Sequence, residues 1–284
     1  MAELVVLDGG YDSHGCSGGN SYALLSGGAA YLLDCGDACG ARLGPNGIDP
    51  LTVRSVFITH MHYDHMAGLF GFLFSVWGHC RREEDVPSAI RDYSAWGRVA
   101  EEDLPESLTV AAPAEAVQSL AQFLPAVYLA PELWRFPLHI APIRAGRFYR
   151  DAQIGVSAHH NGHLSSQPAN DILPAKYPWL AMESFGFTVD VDGLKLVYTG
   201  DLALTGDAGV EELRPHVQDA DVIITEVAHV PLETLMAMLA ETPARQIVLV
   251  HVHAGYRERL PAYLAAHPDP RFIVAQNGMR IELG

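Results

Sequence analysis

The sequence has few cysteines, few basic residues and no long apolar run, and each shortage excludes a class of protein. Its 284 residues include four cysteines, none of them in a CxxC pair, so a disulfide framework is excluded. Cys35 and Cys39 have a spacing that zinc sites use, but no second pair accompanies them, and structural thiols explain them more simply. The longest apolar stretch, around residues 69–77, is interrupted by glycine and is too short to cross a bilayer.

Lysine and arginine are scarce relative to the acidic residues. Eighteen basic residues against thirty-four acidic ones give a formal net charge of −16. Because contacts with the phosphates of a polyanion require lysine and arginine, this balance argues against long nucleic acid as a partner. The N-terminal sequence MAELVVLDGG also lacks the basic region and the apolar core of a secretory signal, and we therefore expect a cytoplasmic protein.

Short β-rich runs separated by glycine turns are abundant. They predict strands at ELVVLD, SYALLSGG, AAYLLDCGD, VRSVFITH, LTVAAP, FPLHIAPI, QIGVSAHH, DVIITEV and RQIVLVHVH. The run FGFTVDVDGLKLVYTGD predicts a hairpin that turns at Asp192 and Gly193, and RFIVAQNGMRIEL predicts a second, terminal hairpin. Helices are predicted at MAGLFGFLFSVW, AEAVQSLAQFL and LETLMAMLAE, which leads to a sheet-rich core with helices outside it.

Four metal-binding side chains follow one of these strands within six positions. In ITHMHYDHMAGL, His60 and His62 can point the same way off extended chain, whereas Asp64 and His65 lie beyond the bend. This spacing suits two adjacent metals, which can lower the pKa of a bridging water and supply hydroxide near neutral pH. Asp201, where the strand VYTGD ends, could bridge both metals or simply cap a turn. A loop of solvated polar residues is the alternative for the whole cluster.

Two more ligands are expected at other strand ends. His251 ends the buried run IVLVHVHAG, and His253, two residues further on, is the alternative. The segment AHHNGHL offers three histidines. His163 lies in the turn past the strand, as the other candidates do, while His159 or His160 within the strand could replace it.

The order THMHYDH, AGL, a downstream histidine, TGD and a late strand ending in histidine resembles the metallo-β-lactamase fold superfamily over nearly the whole chain. The resemblance implies an α+β fold, an αββα four-layer sandwich, with the metals at one edge between the two sheets. It implies one domain over residues 1–284, to which the sequence adds lid or peripheral insertions at about 78–107 and 164–184. It also implies two divalent ions, zinc first and manganese or iron as alternatives. The ligands would be His60, His62 and His163 for one metal and Asp64, His65 and His251 for the other, with Asp201 bridging.

Three segments, SVFITHMHYDHMAGL, SFGFTVDVDGLKLVYTGD and IVLVHVHAGY, most resemble the phosphodiesterase-like branch that includes ribonuclease Z. That branch implies that His229 in TEVAHV protonates the leaving oxygen beside Glu226, while Asp64 orients or deprotonates the attacking water. A loop histidine of no special role is the alternative. The span between His163 and Asp201 is too short and not basic enough to be the arm with which ribonuclease Z enzymes grip RNA.

The resulting hypothesis is a metal-dependent hydrolase that acts on a small phosphodiester with a hydroxide activated by two metals. The alternatives are a lactonase or carboxylic ester hydrolase, a ribonuclease Z-like RNA endonuclease, and a di-iron sensor that is not an enzyme. The resemblance also suggests a homodimer. Five aromatic residues within 70–105 and 164–184 could line the pocket, or pack a lid or a dimer: Trp77, Tyr93, Trp96, Tyr177 and Trp179.

Overall fold

The computed structural model describes residues 1–9, 19–80 and 99–284. Fourteen strands lie in these ranges: β1 (Glu3–Asp8), β2 (Ser21–Ser26), β3 (Ala29–Leu33), β4 (Val53–Phe57), β5 (Leu108–Ala112), β6 (Leu138–Pro142), β7 (Gly146–Arg150), β8 (Ile154–His160), β9 (Phe185–Val191), β10 (Leu194–Tyr198), β11 (Val222–Val227), β12 (Gln246–Val252), β13 (Phe272–Val274) and β14 (Arg280–Glu282). Eight α-helices accompany them: α1 (Cys39–Leu43), α2 (Tyr63–Met66), α3 (Leu69–Cys80), α4 (Ala114–Ala126), α5 (Leu173–Lys176), α6 (Asp207–Val217), α7 (Leu232–Ala240) and α8 (Arg259–Ala266).

The strands form two seven-stranded sheets. The first has the order β14-β1-β2-β3-β4-β5-β6, and the second has the order β13-β12-β11-β10-β9-β8-β7. Each sheet is antiparallel on one side and parallel on the other: pairing changes to parallel from β3 onward in the first sheet and from β10 onward in the second. The carboxyl ends of β4, β10, β11 and β12 therefore bring the segments that follow them to shared edges.

Three apolar layers hold the sheets and helices together. Tyr22, Phe57, Phe187 and Tyr198 belong to a buried cluster between the two sheets. A second cluster joins the other face of the first sheet to α1, α3 and α4, and a third joins the second sheet to α6, α7 and α8. Because the central strands of each sheet are buried on both faces, they are almost continuously apolar. The predicted αββα sandwich is confirmed.

The end of the chain differs from the sequence-based prediction. We expected RFIVAQNGMRIEL to form a hairpin, but β13 pairs in parallel with β12 in the second sheet, whereas β14 pairs antiparallel with β1 in the first. The turn between them crosses from sheet to sheet, with Gly278 at φ +82° donating its N–H to the carbonyl of Val6 at 2.8 Å. The hairpin prediction was wrong because the neighbours of both runs lie far away in the sequence.

Most other elements follow the pattern of the sequence. The hairpin of β9 and β10 is confirmed, and Asp192 and Gly193 both have positive φ (48° and 81°), as a type I′ turn requires. The predicted helices correspond to α3, α4 and α7. Strand β7, which is half-exposed, and helices α6 and α8 carry weaker patterns and were not predicted.

The predicted insertions are described only in part. Of the segment at about 78–107, residues 81–98, with Tyr93 and Trp96, lie outside the described residues, as does Cys16. The segment at 164–184 holds a 3-10 turn and the short helix α5 between β8 and β9. Among the helices in the described ranges, none is long and apolar enough to cross a membrane. One domain over the whole chain stays a prediction.

Candidate metal centre

The ITHMHYDH segment forms a tight turn directly after β4. His62 is the residue before α2, and Asp64 and His65 lie within that four-residue helix. Two hydrogen bonds from other segments hold the backbone of this turn. Asn20 donates its N–H to the carbonyl of Asp64 at 2.5 Å, and Cys35 donates its N–H to the carbonyl of His65 at 2.8 Å. A turn held this firmly directs its side chains toward one edge of the sandwich.

Glycines allow this close approach of backbones. A Cβ on Gly36 would lie 2.2 Å from the carbonyl oxygen of Asp64, and one on Gly68 would lie 2.0 Å from the carbonyl oxygen of Gly36. A Cβ on Gly19 would lie 2.8 Å from the same oxygen of Asp64. Side chains are excluded at these positions because three backbone segments pack against one another beneath the turn.

The first group of potential ligands gathers residues from three parts of the chain. One ligand atom from each of its four members lies within 4.8 Å of the others: His60, His62, His163 and Asp201. His163 directs its Nδ1 to the carbonyl of Leu202 at 3.0 Å, which leaves its Nε2 facing the group, 3.3 Å from Nδ1 of His62. Nε2 of His60 is buried and has no hydrogen-bond partner among the described residues.

The second group lies beside the first. Its members, which meet the same 4.8 Å limit, are Asp64, His65 and His251. His65 directs Nδ1 to the buried carboxylate of Asp34 at 2.7 Å, so that Nε2 faces Asp201 at 3.3 Å and Asp64 at 3.5 Å. A carboxylate behind a histidine sets its tautomer and orientation in the same way in known metal sites.

Asp201 lies between the two groups. It follows β10 after Gly200, whose φ of +58° and close contact with the carbonyl oxygen of Phe185 favour glycine. The Asp201 carboxylate is 2% exposed, and its oxygens lie 3.1 Å from Nδ1 of His251 and 3.6 Å from Nε2 of His163. One carboxylate thus contacts members of both groups.

A β-bulge separates His251 from His253. Between β11 and β12 the register shifts, since Glu226 pairs with Val250 but Val227 pairs with Val252, and His251 has a φ of +46°. A bulge redirects the side chain that it contains. His253 is exposed, and its Nδ1 accepts the N–H of Gly255 at 3.0 Å. The structure therefore brings His251, and not His253, into the cluster.

The three candidate histidines at the end of β8 and in the turn after it also lie in different environments. His163 is fully buried in the first group. His159 stacks on His216 with ring centroids 3.7 Å apart, and exposed His160 lies over Phe185. Strand alternation sends His159 and His160 to opposite faces, while the turn carries His163 to the edge.

His229 lies against the cluster and is held by Glu226. Its Nδ1 is 3.1 Å from Oε1 of Glu226 and 3.7 Å from Oδ2 of Asp201. Burial alone would lower the pKa of His229, but the hydrogen bond and the charge of Glu226 outweigh it and raise the pKa to about 9. Glu226 is itself fixed by the N–H groups of Leu202, Ala228 and His229. In the absence of a cation, Glu226 therefore favours the protonated imidazole of His229.

The charges of the cluster fit divalent cations. Burial lowers the pKa of His60, His62 and His163, so that each is a neutral imidazole with a free lone pair. Burial alone would also lower the pKa of His65 and His251, yet the Asp201 carboxylate outweighs it and raises both. In the absence of a cation, protons on these two imidazoles balance Asp201. Neutral imidazoles around an ionised carboxylate form a donor set that suits zinc-type metals.

The sequence analysis missed two polar residues beneath the cluster, Asn20 and Asp34. Asp34 is fully buried and accepts hydrogen bonds from Thr59 at 2.7 Å and from the hydroxyl of Tyr198 at 2.6 Å, in addition to its contact with His65. It follows β3 at a strand end, which is the signal that identified the other candidates. Among the described residues, the aromatic side chains suggested for the pocket or a lid do not define a pocket: Trp179 is 64% exposed and packs edge-on against Tyr177.

A sandwich of two sheets between helical layers, with a His/Asp cluster at one edge, defines the metallo-β-lactamase class of fold. Two family models agree: the Metallo-beta-lactamase superfamily model matches residues 14–168, and the Beta-lactamase superfamily domain model matches residues 97–252. Each match covers more than half of the chain. The chain therefore belongs to the metallo-β-lactamase superfamily.

Three individual proteins are similar to this chain, one in part of its sequence and two in their whole structures. Ribonuclease Z from Methanothermobacter thermautotrophicus is 41% identical over 66 residues, which are 23% of this chain and only 21% of that protein. The human tRNase Z, short form, has a TM-score of 0.64 at 17% identity and covers 99% of both chains. A diphosphatase from the PhnP family has a TM-score of 0.62 at 13% identity and covers 100% of this chain and 98% of its own. At these identities the two solved structures show the fold alone.

Proposed function

We propose that this protein is a hydrolase that requires two divalent metal ions and cleaves phosphodiester bonds. The observation that carries the proposal is the pair of adjacent ligand groups that contact one buried carboxylate, Asp201. In the proposed assignment, His60, His62 and His163 hold one ion, Asp64, His65 and His251 hold the other, and Asp201 contacts both. Zinc is the metal that we propose, with manganese or iron as alternatives. Two such ions would supply a hydroxide nucleophile at neutral pH and neutralise charge on a phosphoryl group.

The protein groups around the centre have separate roles in this proposal. The side chain of Asp64 is 39% exposed, so its carboxylate can orient the attacking water and hold its proton. The protonated imidazole of His229, 23% exposed beside the cluster, can donate a proton to the leaving oxygen. Glu226 keeps His229 protonated and correctly turned. An acid and a base beside the centre suit hydrolysis of an ester with a poor leaving group.

The substrate that we favour is a small phosphodiester. The net charge of −16 disfavours a long polyanion, whereas two divalent ions outweigh the charges of Asp64 and Asp201 and attract a phosphate locally. The PhnP-family diphosphatase shares the fold. The similarity to ribonuclease Z weakens the argument from charge and makes RNA the second candidate substrate. A cytoplasmic location and a homodimer stay predictions.

The test is hydrolysis of bis-p-nitrophenyl phosphate by the protein loaded with zinc or manganese. We expect turnover that Asp64→Ala abolishes, while Asp190→Ala, a change at a carboxylate that is 55% exposed and paired with Arg147, leaves it unchanged. Turnover of acyl lactones without phosphodiester activity would contradict the proposal. Cleavage of a transfer RNA precursor in preference to small diesters would favour the second candidate. Fewer than two metal equivalents per chain after reconstitution would contradict the binuclear centre itself.

A further inference from the structure

Asn20 lies against the second ligand group and has no role in the function proposed above. Its side chain is almost fully buried. The amide Nδ2 lies 3.1 Å from Oδ2 of Asp64, 3.0 Å from Nε2 of His65 and 3.4 Å from Nδ1 of His251. One amide group therefore reaches all three members of the second group. Among the described contacts, it makes none to the three histidines of the first.

The orientation of the Asn20 amide is set by Tyr22. The hydroxyl of Tyr22 donates to Oδ1 of Asn20 at 2.9 Å, and its buried ring packs edge-on against Tyr198, with centroids 5.4 Å apart. With Oδ1 engaged, the NH₂ group faces the ligands. It meets an acceptor in the Asp64 carboxylate, which only accepts, and it also contacts Nε2 of His65, whose Nδ1 is turned to Asp34.

The backbone of Asn20 is held as firmly as its side chain. Its N–H donates to the carbonyl of Asp64 at 2.5 Å, and its own carbonyl accepts the N–H of Gly36 at 3.0 Å. Asn20 and Asp64 are thus joined through main chain and side chain alike. Because Asp64 is hydrogen-bonded to Asn20 through both its backbone and its side chain, its carboxylate has little freedom to turn away from the position of a ligand.

We propose that Asn20 is a positioning residue for the second metal. Its amide donates to Oδ2 of Asp64 and so holds this carboxylate in the position of a ligand. Nε2 of His65 would be a ligand of the same ion, and the amide would keep its bond to Asp64. This inference rests on the binuclear site proposed above. It concerns the affinity of one of the two sites, because the first ligand group has no contact with the amide.

The test is a titration of the metal-free protein with Zn²⁺ against a competing chelator, with zinc per chain measured by elemental analysis. Asn20→Ala should weaken the second equivalent about 10- to 100-fold, as loss of an outer-sphere partner does elsewhere, and leave the first within about twofold. Tyr22→Phe keeps the buried ring and removes only the hydroxyl that orients the amide, so it should weaken the same equivalent by a smaller factor.

Asn46→Ala is the matched control, since Asn46 donates its amide to the carbonyl of Arg42 away from the cluster. It should change neither equivalent. Equal weakening of both equivalents in Asn20→Ala, or no weakening in either Asn20→Ala or Tyr22→Phe, would overturn the proposal while the binuclear site stands. If the wild-type protein itself binds fewer than two equivalents, the binuclear site fails, and the role of Asn20 fails with it.

Discussion

Two carboxylates at opposite edges of the sandwich have different partners. Strand β8 runs from one edge to the other, with Asp151 before it and His163 after it. Asp151 accepts from the hydroxyls of Tyr31 at 2.6 Å and Tyr149 at 2.9 Å, and from two backbone N–H groups. Asp201, at the other edge, has imidazoles as its described polar neighbours.

The difference shows what distinguishes a structural carboxylate from a candidate metal ligand. Burial alone would raise the pKa of Asp151, but hydrogen bonds from the neutral Tyr31 hydroxyl and from backbone N–H groups lower it. Burial alone would also raise the pKa of Asp201, but His65 and His251 hold it well below its ordinary value. Asp151 is satisfied by groups that stay neutral, whereas the charge of Asp201 is balanced only by groups that take up protons. The kind of partner distinguishes the carboxylate at the metal edge.

The largest effect is expected from removing the negative charge of the carboxylate at each edge. Asp201→Asn should abolish phosphodiester hydrolysis and remove bound zinc, because a neutral amide cannot balance two cations. Asp151→Asn should keep both zinc equivalents and activity, while the free energy of unfolding falls by about 1–2 kcal/mol through weaker hydrogen bonds. Elemental analysis and urea unfolding measure the two results. Loss of zinc from the Asp151→Asn variant would contradict the distinction between a structural carboxylate and a metal ligand.

A smaller loss is expected at the metal edge when the acid is removed but the ligands remain. His229→Ala should lower kcat about 10²- to 10⁴-fold for a diester with a poor, alkyl leaving group, since a positioned proton donor contributes that much, and by a smaller factor for bis-p-nitrophenyl phosphate. Zinc content should stay at the wild-type value. The loss should shrink for diesters with better leaving groups, which need less protonation. A loss that does not depend on the leaving group would rule out the proton-donor role.

Backbone packing at the metal edge should also be sensitive to a single methyl group. Gly36→Ala places a Cβ 2.2 Å from the carbonyl of Asp64, so we expect a loss of about 1–3 kcal/mol in the free energy of unfolding and weaker zinc binding. Gly71, inside α3, has no atom within 4 Å of such a Cβ, and Gly71→Ala should instead gain about 0.5–1 kcal/mol. Equal stabilities in urea unfolding would contradict the packing argument.

The smallest effect concerns a histidine outside the cluster. Burial and the neighbouring His216 lower the pKa of His159 to about 3. Because the unfolded chain then binds a proton that the folded chain rejects, His159 reduces stability progressively as the pH falls from about 6.5 toward 3, by at most about 1.4 kcal/mol per pH unit. His159→Phe keeps the stack without titrating. With chelator present, it should lose less stability than the wild type between pH 7 and pH 5; equal losses would exclude His159 as a source.

Some of the site could be predicted from the sequence because its residues follow buried strands. His60, His62, Asp64 and His65 are adjacent in the chain, and Asp201 follows a strand and a glycine. Parallel strands end at a shared edge, so these positions converge in any fold of this class.

Other features depended on contacts between distant segments. In a regular strand the side chains of His251 and His253 would point to the same face. The bulge at His251 shifts the register of β12, so that they do not. Asn20 has no motif, and its role comes from its contacts with Asp64 and Tyr22. In the sequence the two terminal runs have the pattern of a hairpin. In the structure, however, β14 pairs with β1 and β13 pairs with β12, so the two runs do not pair with each other.

By itself, the sequence determined a sheet-rich core with helices outside it, the HxHxDH turn and the need for further ligands, because apolar periodicity and ligand spacing are local properties of the chain. The tertiary structure brought His163 but neither of its two neighbours, and His251 but not His253, into the cluster. It also brought Asn20 and Asp34 to opposite nitrogens of His65. The physical reason is that these choices depend on backbone hydrogen bonds and close packing between segments far apart in the chain, which no local pattern contains.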